Sequence, residues 1–138
     1  MVTNYIRFFE NIKQSTSLKE YEEIFDLKVK FKDPFHEVEG IKNLYHIFQG
    51  MYKKLDNPKF TVIETIHENN VVYLKWIFTF YFKKEQQKNS FEGVSRVEFD
   101  TNGKAISHVD YWDSAENLYE KIPIVSFFIK FLKRKITS

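Results

Sequence analysis

The chain has no cysteine, only three prolines and four glycines, and a net charge of +2 from 21 basic and 19 acidic residues in 138. Each shortage removes a class of explanation. Without thiols there is no disulfide framework, no thiolate metal site and no cysteine nucleophile, which fits a reducing, cytoplasmic setting. With charge so nearly balanced, the chain lacks the broad basic field that nucleic acid demands, and no nucleic-acid partner is expected. No basic leader followed by an apolar run opens it, and no uninterrupted apolar stretch approaches the ~20 residues of a membrane crossing. Repeats, low-complexity tracts and linkers are also missing, so residues 1–138 are expected to form a single domain. What the chain has in abundance is aromatic: 15 Phe, 8 Tyr and 2 Trp, together 18% of it. Rings beyond the needs of a small core point to an aromatic-lined pocket.

Apolar residues at helical spacing (Tyr5, Ile6, Phe8, Phe9, Ile12) predict a first helix over residues 3–14. Ser17, three residues before Glu20, forms a capping-box pattern that opens a second helix through Leu18, Tyr21, Ile24 and Phe25. Val29 and Phe31 alternate with lysines as a brief strand, which Asp33 and Pro34 end. Glu39-Gly40 turns the chain into a third helix with an apolar face of Ile41, Leu44, Tyr45, Ile47, Phe48, Met51 and Leu55, stopped at Asp56-Asn57-Pro58. The period then changes to that of a sheet. Strands are expected over residues 60–66, 71–82, 91–99 and 104–113, joined by hairpin turns at Glu68-Asn69-Asn70, at the polar residues 83–89 and at residues 100–103. Ser114 and Glu116 support a further helix start, Pro123 interrupts it, and residues 124–138 read as an apolar and basic helix. That helix either docks on its own fold or a second copy through Phe127, Phe128, Phe131 and Leu132, or lies on a membrane surface. Helices followed by an antiparallel sheet define an α+β fold.

The residues richest in chemistry lie on the last strand. In an extended chain Ile106, His108, Asp110 and Trp112 share one face, while Ser107, Val109, Tyr111 and Asp113 share the other. An imidazole, a carboxylate and an indole thus stand together, fit for acid–base work if that face looks into a cavity. The competing structural reading makes them a strand end, with Asp110 paired to Arg96 of the neighbouring strand. On the long aromatic strand, Trp76 and Phe80 are the candidate pocket residues. His46 and His67 read as surface or core histidines. No histidine spacing gathers three ligands, so no metal and no cofactor are expected.

In this arrangement the chain resembles the nuclear transport factor 2-like superfamily, in particular its SnoaL-like (polyketide cyclase-like) and ketosteroid isomerase-like members. The likeness is carried by the two N-terminal helices, by residues 31–34 (Phe-Lys-Asp-Pro) with Gly40 opening the third helix, and by residues 103–113. It implies a cone-shaped, cystatin-like fold in which a curved antiparallel sheet packs on the N-terminal helices. It implies roles as well. Asp33 matches the isomerases' general base at the end of the first strand, with His36 close enough in sequence to share its proton. His108 with Asp110 or Asp113 resembles the acid and base of the cyclase-like members, and Trp112 falls where an aromatic residue lines the pocket. The isomerases' oxyanion donors, a tyrosine on the first helix and an acid on the penultimate strand, align with Phe9 or Phe8 and with Ser95, so steroid isomerisation is not expected.

The combined expectation is a pocket protein for an apolar or lipid-like ligand. Asp33, His108 and Asp110 are its catalytic candidates for isomerisation, cyclisation or hydration, and Phe9, His36, Trp76, Phe80, Ser95 and Trp112 its pocket candidates. The alternative is a non-catalytic binding or protein-interaction module, attached to a membrane surface through its C-terminal helix. A homodimer through the outer sheet face, where Tyr73, Ile77 and Tyr81 point, is expected in either case.

Overall fold

The computed structural model describes residues 2–114 and 134–136. In chain order the elements are α1 (Val2–Asn11), α2 (Leu18–Ile24), β1 (Phe25–Lys32), β2 (Glu37–Glu39), α3 (Ile41–Lys54), β3 (Leu55–Glu68), β4 (Val71–Phe82), β5 (Asn89–Phe99) and β6 (Ala105–Tyr111). The six strands form one curved, unclosed sheet in the order β2-β1-β6-β5-β4-β3, with the helices packed against it. The expected helix at 124–138, with its apolar residues, lies outside the described residues except for 134–136. No described helix is long and apolar enough to cross a membrane.

Local chemistry accounts for most of the boundaries. The predicted capping box forms: the Ser17 side chain accepts from the Glu20 N–H while the Glu20 carboxylate accepts from the Ser17 N–H at 2.6 Å. All three of these helices end earlier than their apolar spacing suggests, α1 stopping at Asn11. Phe25 and Leu55 are C-caps with extended backbone, each still donating its N–H to the preceding helical turn, so the sheet begins at those residues. The Asp56-Asn57-Pro58 stop therefore lies inside β3, where the register shifts between Asp56 and Lys59 and Asn57 takes φ +49°. A proline is tolerated there because β3 lies at the sheet's edge and the bulge absorbs its missing N–H. The four strands β3 to β6 run antiparallel as expected, whereas the three-residue β2 and the parallel pairing of β1 with β6 were not foreseen. Such pairings are set by packing between distant segments rather than by local sequence.

Alternation along β4 is as expected. Leu74, Trp76, Phe78 and Phe80 are buried, whereas Tyr73 on the other face is 45% exposed. The inner face meets α1, α2 and α3 in a core where Tyr5, Tyr21, Phe25, Leu44 and Phe99 are all essentially inaccessible. Phe25 is its hub, meeting Tyr5, Phe8 and Phe9 edge-on at 5.6–6.0 Å between ring centroids. One glycine governs the packing. Gly93 stands opposite Trp76 in the β4–β5 ladder, and a Cβ there would lie 2.3 Å from the indole. The bare backbone at Gly93 is the floor on which the Trp76 ring rests. At the other side of the sheet, α1 is tied to β3 by the Glu10 carboxylate, which accepts the Val62 N–H at 3.0 Å next to a second register shift between Val62 and Glu64.

Candidate active site

Between α1, α3 and the sheet lies a cavity lined by Ile6 and Phe9 from α1, Phe48 from α3, Phe60 and Val62 from β3, Leu74 and Trp76 from β4, and by Ser95, His108 and Asp110. Its polar floor follows from strand register. Ser95 is the cross-strand partner of Asp110, and Val97 that of His108, so all three polar side chains emerge on the buried face where β5 meets β6. Arg96 is instead opposite Val109, on the other face, so the alternative Arg96–Asp110 pairing is not formed.

The polar groups form one continuous chain. The Trp76 indole N–H donates to Ser95 Oγ at 2.8 Å, and Ser95 Oγ donates to Asp110 Oδ1 at 2.5 Å. His108 Nε2 lies 2.7 Å from the same Oδ1, and His108 Nδ1 lies 2.5 Å from the hydroxyl of Tyr5. Oδ2 of Asp110 makes no hydrogen bond among the described residues. The His108 side chain is 4% exposed and that of Asp110 17%. Aromatic rings hold the imidazole in place: Phe31 stacks on it at 5.3 Å, with Phe9 and Tyr5 at 5.4 and 5.9 Å. Burial keeps the Tyr5 phenol well above its ordinary range, and the charge of Asp110 pushes it the same way.

Tyr5 is the member that the sequence did not disclose. Helical periodicity marks it as an apolar position, and the alignment puts Phe9 or Phe8 at the tyrosine of the first helix. Tyr5 lies one helical turn before Phe9, on the same face, and its ring packs against Phe9 at 5.1 Å. That i,i+4 relation was the available signal.

The structure brings together Phe9, Trp76, Ser95, His108 and Asp110 and leaves four other candidates away from the cavity lining. Asp33 is occupied locally: its Oδ1 accepts from the backbone N–H of Phe35 at 2.8 Å and of His36 at 2.6 Å, and lies 3.0 Å from the His36 ring. It serves as a turn former, and His36 is its exposed partner. Phe80 is wholly buried, stacked on Phe78 at 5.2 Å. Trp112 packs on Phe91 at 4.7 Å and on Phe35 at 5.3 Å. A larger, more open cleft of ≈ 430 Å³ lies behind Tyr5, between α1, the end of α2 and the β5–β6 turn. Its lysine, Lys104, already donates to the carbonyls of Glu22 and Glu23.

A curved, unclosed six-stranded sheet packed on N-terminal helices is the architecture of the nuclear transport factor 2-like fold. Solved structures agree at the level of fold. A hypothetical protein with a ketosteroid isomerase-like fold from Catenulispora acidiphila DSM 44928, in complex with trimethylamine, superposes with a TM-score of 0.71 at 12% identity, over 85% of this chain and 88% of that one. An NTF2-like protein of unknown function from Exiguobacterium sp. 255-15 gives 0.66 at 13%, over 81% and 97%. An epoxide hydrolase of the LEH-like type from M. tuberculosis gives 0.66 at 11%, over 84% and 82%. Among curated proteins none matches the chain in sequence. The SnoaL-like domain family profile matches residues 5–108, and the chain belongs to that family.

Proposed function

We propose that the domain takes a small apolar or lipid-like molecule into this cavity and that Asp110, with His108, moves a proton on it. The single observation that carries this reading is a carboxylate fixed through one oxygen by two partners, with its other oxygen unbonded among the described residues, on the floor of a largely apolar cavity. Such a chain is not needed to fill a core, since apolar side chains of similar shape would pack there without desolvating polar groups. Oδ2 takes a proton from the ligand or from a water molecule, and the acid so formed returns it elsewhere. Isomerisation, cyclisation and hydration all consist of this traffic and need no cofactor. Phe9 and Trp76 form the aromatic wall against which the ligand would lie.

A second reading is favoured by volume. The cavity offers ≈ 20 Å³ to water, room for about one molecule, so a larger ligand must displace side chains such as Ile6 and Phe9. In a non-catalytic domain the cavity would stay filled and the polar chain would serve only to fix α1 on the sheet. Native mass spectrometry of protein purified from its host separates the two. The pocket reading expects a retained small molecule, and readdition of that molecule at a hundred times its Kd should stabilise the fold by about 2.7 kcal/mol. An empty protein that no apolar compound stabilises would leave the second reading standing.

The partner we propose is a second copy. On the outer face Ile66 pairs with Tyr73 across β3 and β4, and these residues and Tyr111 are 63%, 45% and 58% exposed. Apolar area of this kind rarely stays uncovered on a monomer. Sedimentation velocity at micromolar concentration should show a dimer, and Tyr73→Glu should convert it to monomer. A wild-type monomer under those conditions would dismiss the dimer.

A further inference from the structure

We infer that Tyr5 is a positioning residue for Asp110: with Trp76 at the opposite end, it sets the direction of every proton in the buried chain, so that Asp110 stands as a base whose Oδ2 has no partner among the described residues. This inference rests on the reading of Asp110 as the proton-moving group and assigns which way that group works.

The case is one of donors and acceptors. At one end the indole N–H of Trp76 can only donate, so Ser95 Oγ accepts it and sends its own hydrogen to Asp110 Oδ1. At the other end, the Tyr5 hydroxyl has one partner among the described residues, His108 Nδ1. Two assignments of a neutral imidazole fit the heavy atoms. In the first, Tyr5 donates to Nδ1, the imidazole carries its hydrogen on Nε2, and Nε2–H donates to the Asp110 carboxylate. In the second, Nδ1–H donates to the Tyr5 oxygen and Nε2 accepts from a protonated Asp110. The second, like a doubly protonated imidazole, leaves the Tyr5 hydroxyl hydrogen buried without an acceptor among the described residues, which is costly. The first satisfies every hydrogen in the chain. Both ends therefore point inward, and two donors converge on Oδ1. A helix residue 103 positions away from His108 in sequence thereby decides whether the site begins its cycle as a base or as an acid.

Nitrogen-15 spectra of the full chain at neutral pH, labelled at histidine, read this without any ligand, and carbon-13 at the aspartate carboxyls reads the other half. The wild type should show His108 as one tautomer, with Nδ1 unprotonated and Nε2 bearing hydrogen, and Asp110 as carboxylate. Tyr5→Phe keeps the ring that packs on Phe9, Phe25 and Phe99 and removes only the donor. In that variant the two His108 nitrogen signals should move toward each other as both tautomers become populated. The exposed His36, His46 and His67 should not change, which also identifies the His108 set. Hydrogen on Nδ1 in the wild type, a protonated Asp110 carboxyl, or a Tyr5→Phe spectrum unchanged from wild type would each overturn the inference. Were Tyr5→Phe not to fold, the wild-type spectra alone would still decide it. A wrong tautomer removes Tyr5's role and leaves ligand binding intact. The expected tautomer in a protein that takes up no ligand removes the pocket reading and leaves Tyr5 where it is.

Discussion

His108→Leu is expected to lower the free energy of unfolding by about 2 to 4 kcal/mol, the sum of a buried hydroxyl left unpartnered and a lost ring stack. The substitution keeps the site apolar and roughly conserves volume, so the loss comes from specific contacts. The Tyr5 hydroxyl would join those of Tyr21 and Tyr52, which are already buried without a partner among the described residues. Asp110 would suffer less, because Ser95 still donates to it and its side chain is 17% exposed, within reach of water. The stack of Phe31 on the imidazole would also go. At roughly 4 °C per kcal/mol for a domain of this size, the melting temperature should fall by about 8 to 16 °C. The double variant Tyr5→Phe/His108→Leu provides the control. It removes the stranded hydroxyl and should recover part of the loss, giving a coupling of about 0.5 to 3 kcal/mol between the two positions. Urea unfolding that finds His108→Leu as stable as wild type would mean that the chain contributes nothing to holding α1 on the sheet.

Gly93→Ala is expected to cost about 1 to 3 kcal/mol through overpacking. The new methyl would stand 2.3 Å from Cη2 and 2.4 Å from Cζ2 of Trp76, which no pair of carbon atoms tolerates. The indole has little room to withdraw, since Trp76 is 5% exposed and Phe60 and Phe91 close on it at 5.6 and 6.1 Å. Either the strand shifts or the ring turns, and a turned ring withdraws its N–H from Ser95. One methyl outside the cavity lining would then unfasten Oδ1 of Asp110 from one side. In a Trp76→Phe background the steric conflict is gone, and Gly93→Ala should become nearly neutral. An equal cost in both backgrounds would place the conflict elsewhere.

The contrast between what could and could not be read from the residues has a physical basis. Sheet faces were legible because alternation is enforced by burial: a slip of one residue would turn the inner face of β4 or β6 to solvent. That is why His108 and Asp110 fall together as expected, and why Ser95 joins them. The local hydrogen bonding of Asp33 is likewise set by nearby sequence, in an Asp-Pro turn whose backbone donors are within three residues. Two features were beyond local sequence. The parallel pairing of β1 with β6 joins segments far apart in sequence, Phe25 to Ala105 and Phe31 to His108. Tyr5 counts as apolar in any periodicity, because its ring is core and only its hydroxyl is chemical. The start of β3 was obscured for another reason: Asp-Asn-Pro is turn chemistry, and here that chemistry produces a bulge within an edge strand rather than the end of an element.

The bond from Glu10 to the Val62 N–H has a consequence for solubility. β3 runs for 14 residues along one border of the sheet, with Ile63 and Ile66 47% and 63% exposed. A border of that length is a template on which a stray extended segment from another molecule can lengthen the sheet, the first step toward a fibril. A carboxylate seated on one of its backbone donors, with a bulge beside it, interrupts the row where an incoming segment would need it continuous. The helix that closes the cavity thus also guards the molecule against self-association of the wrong kind.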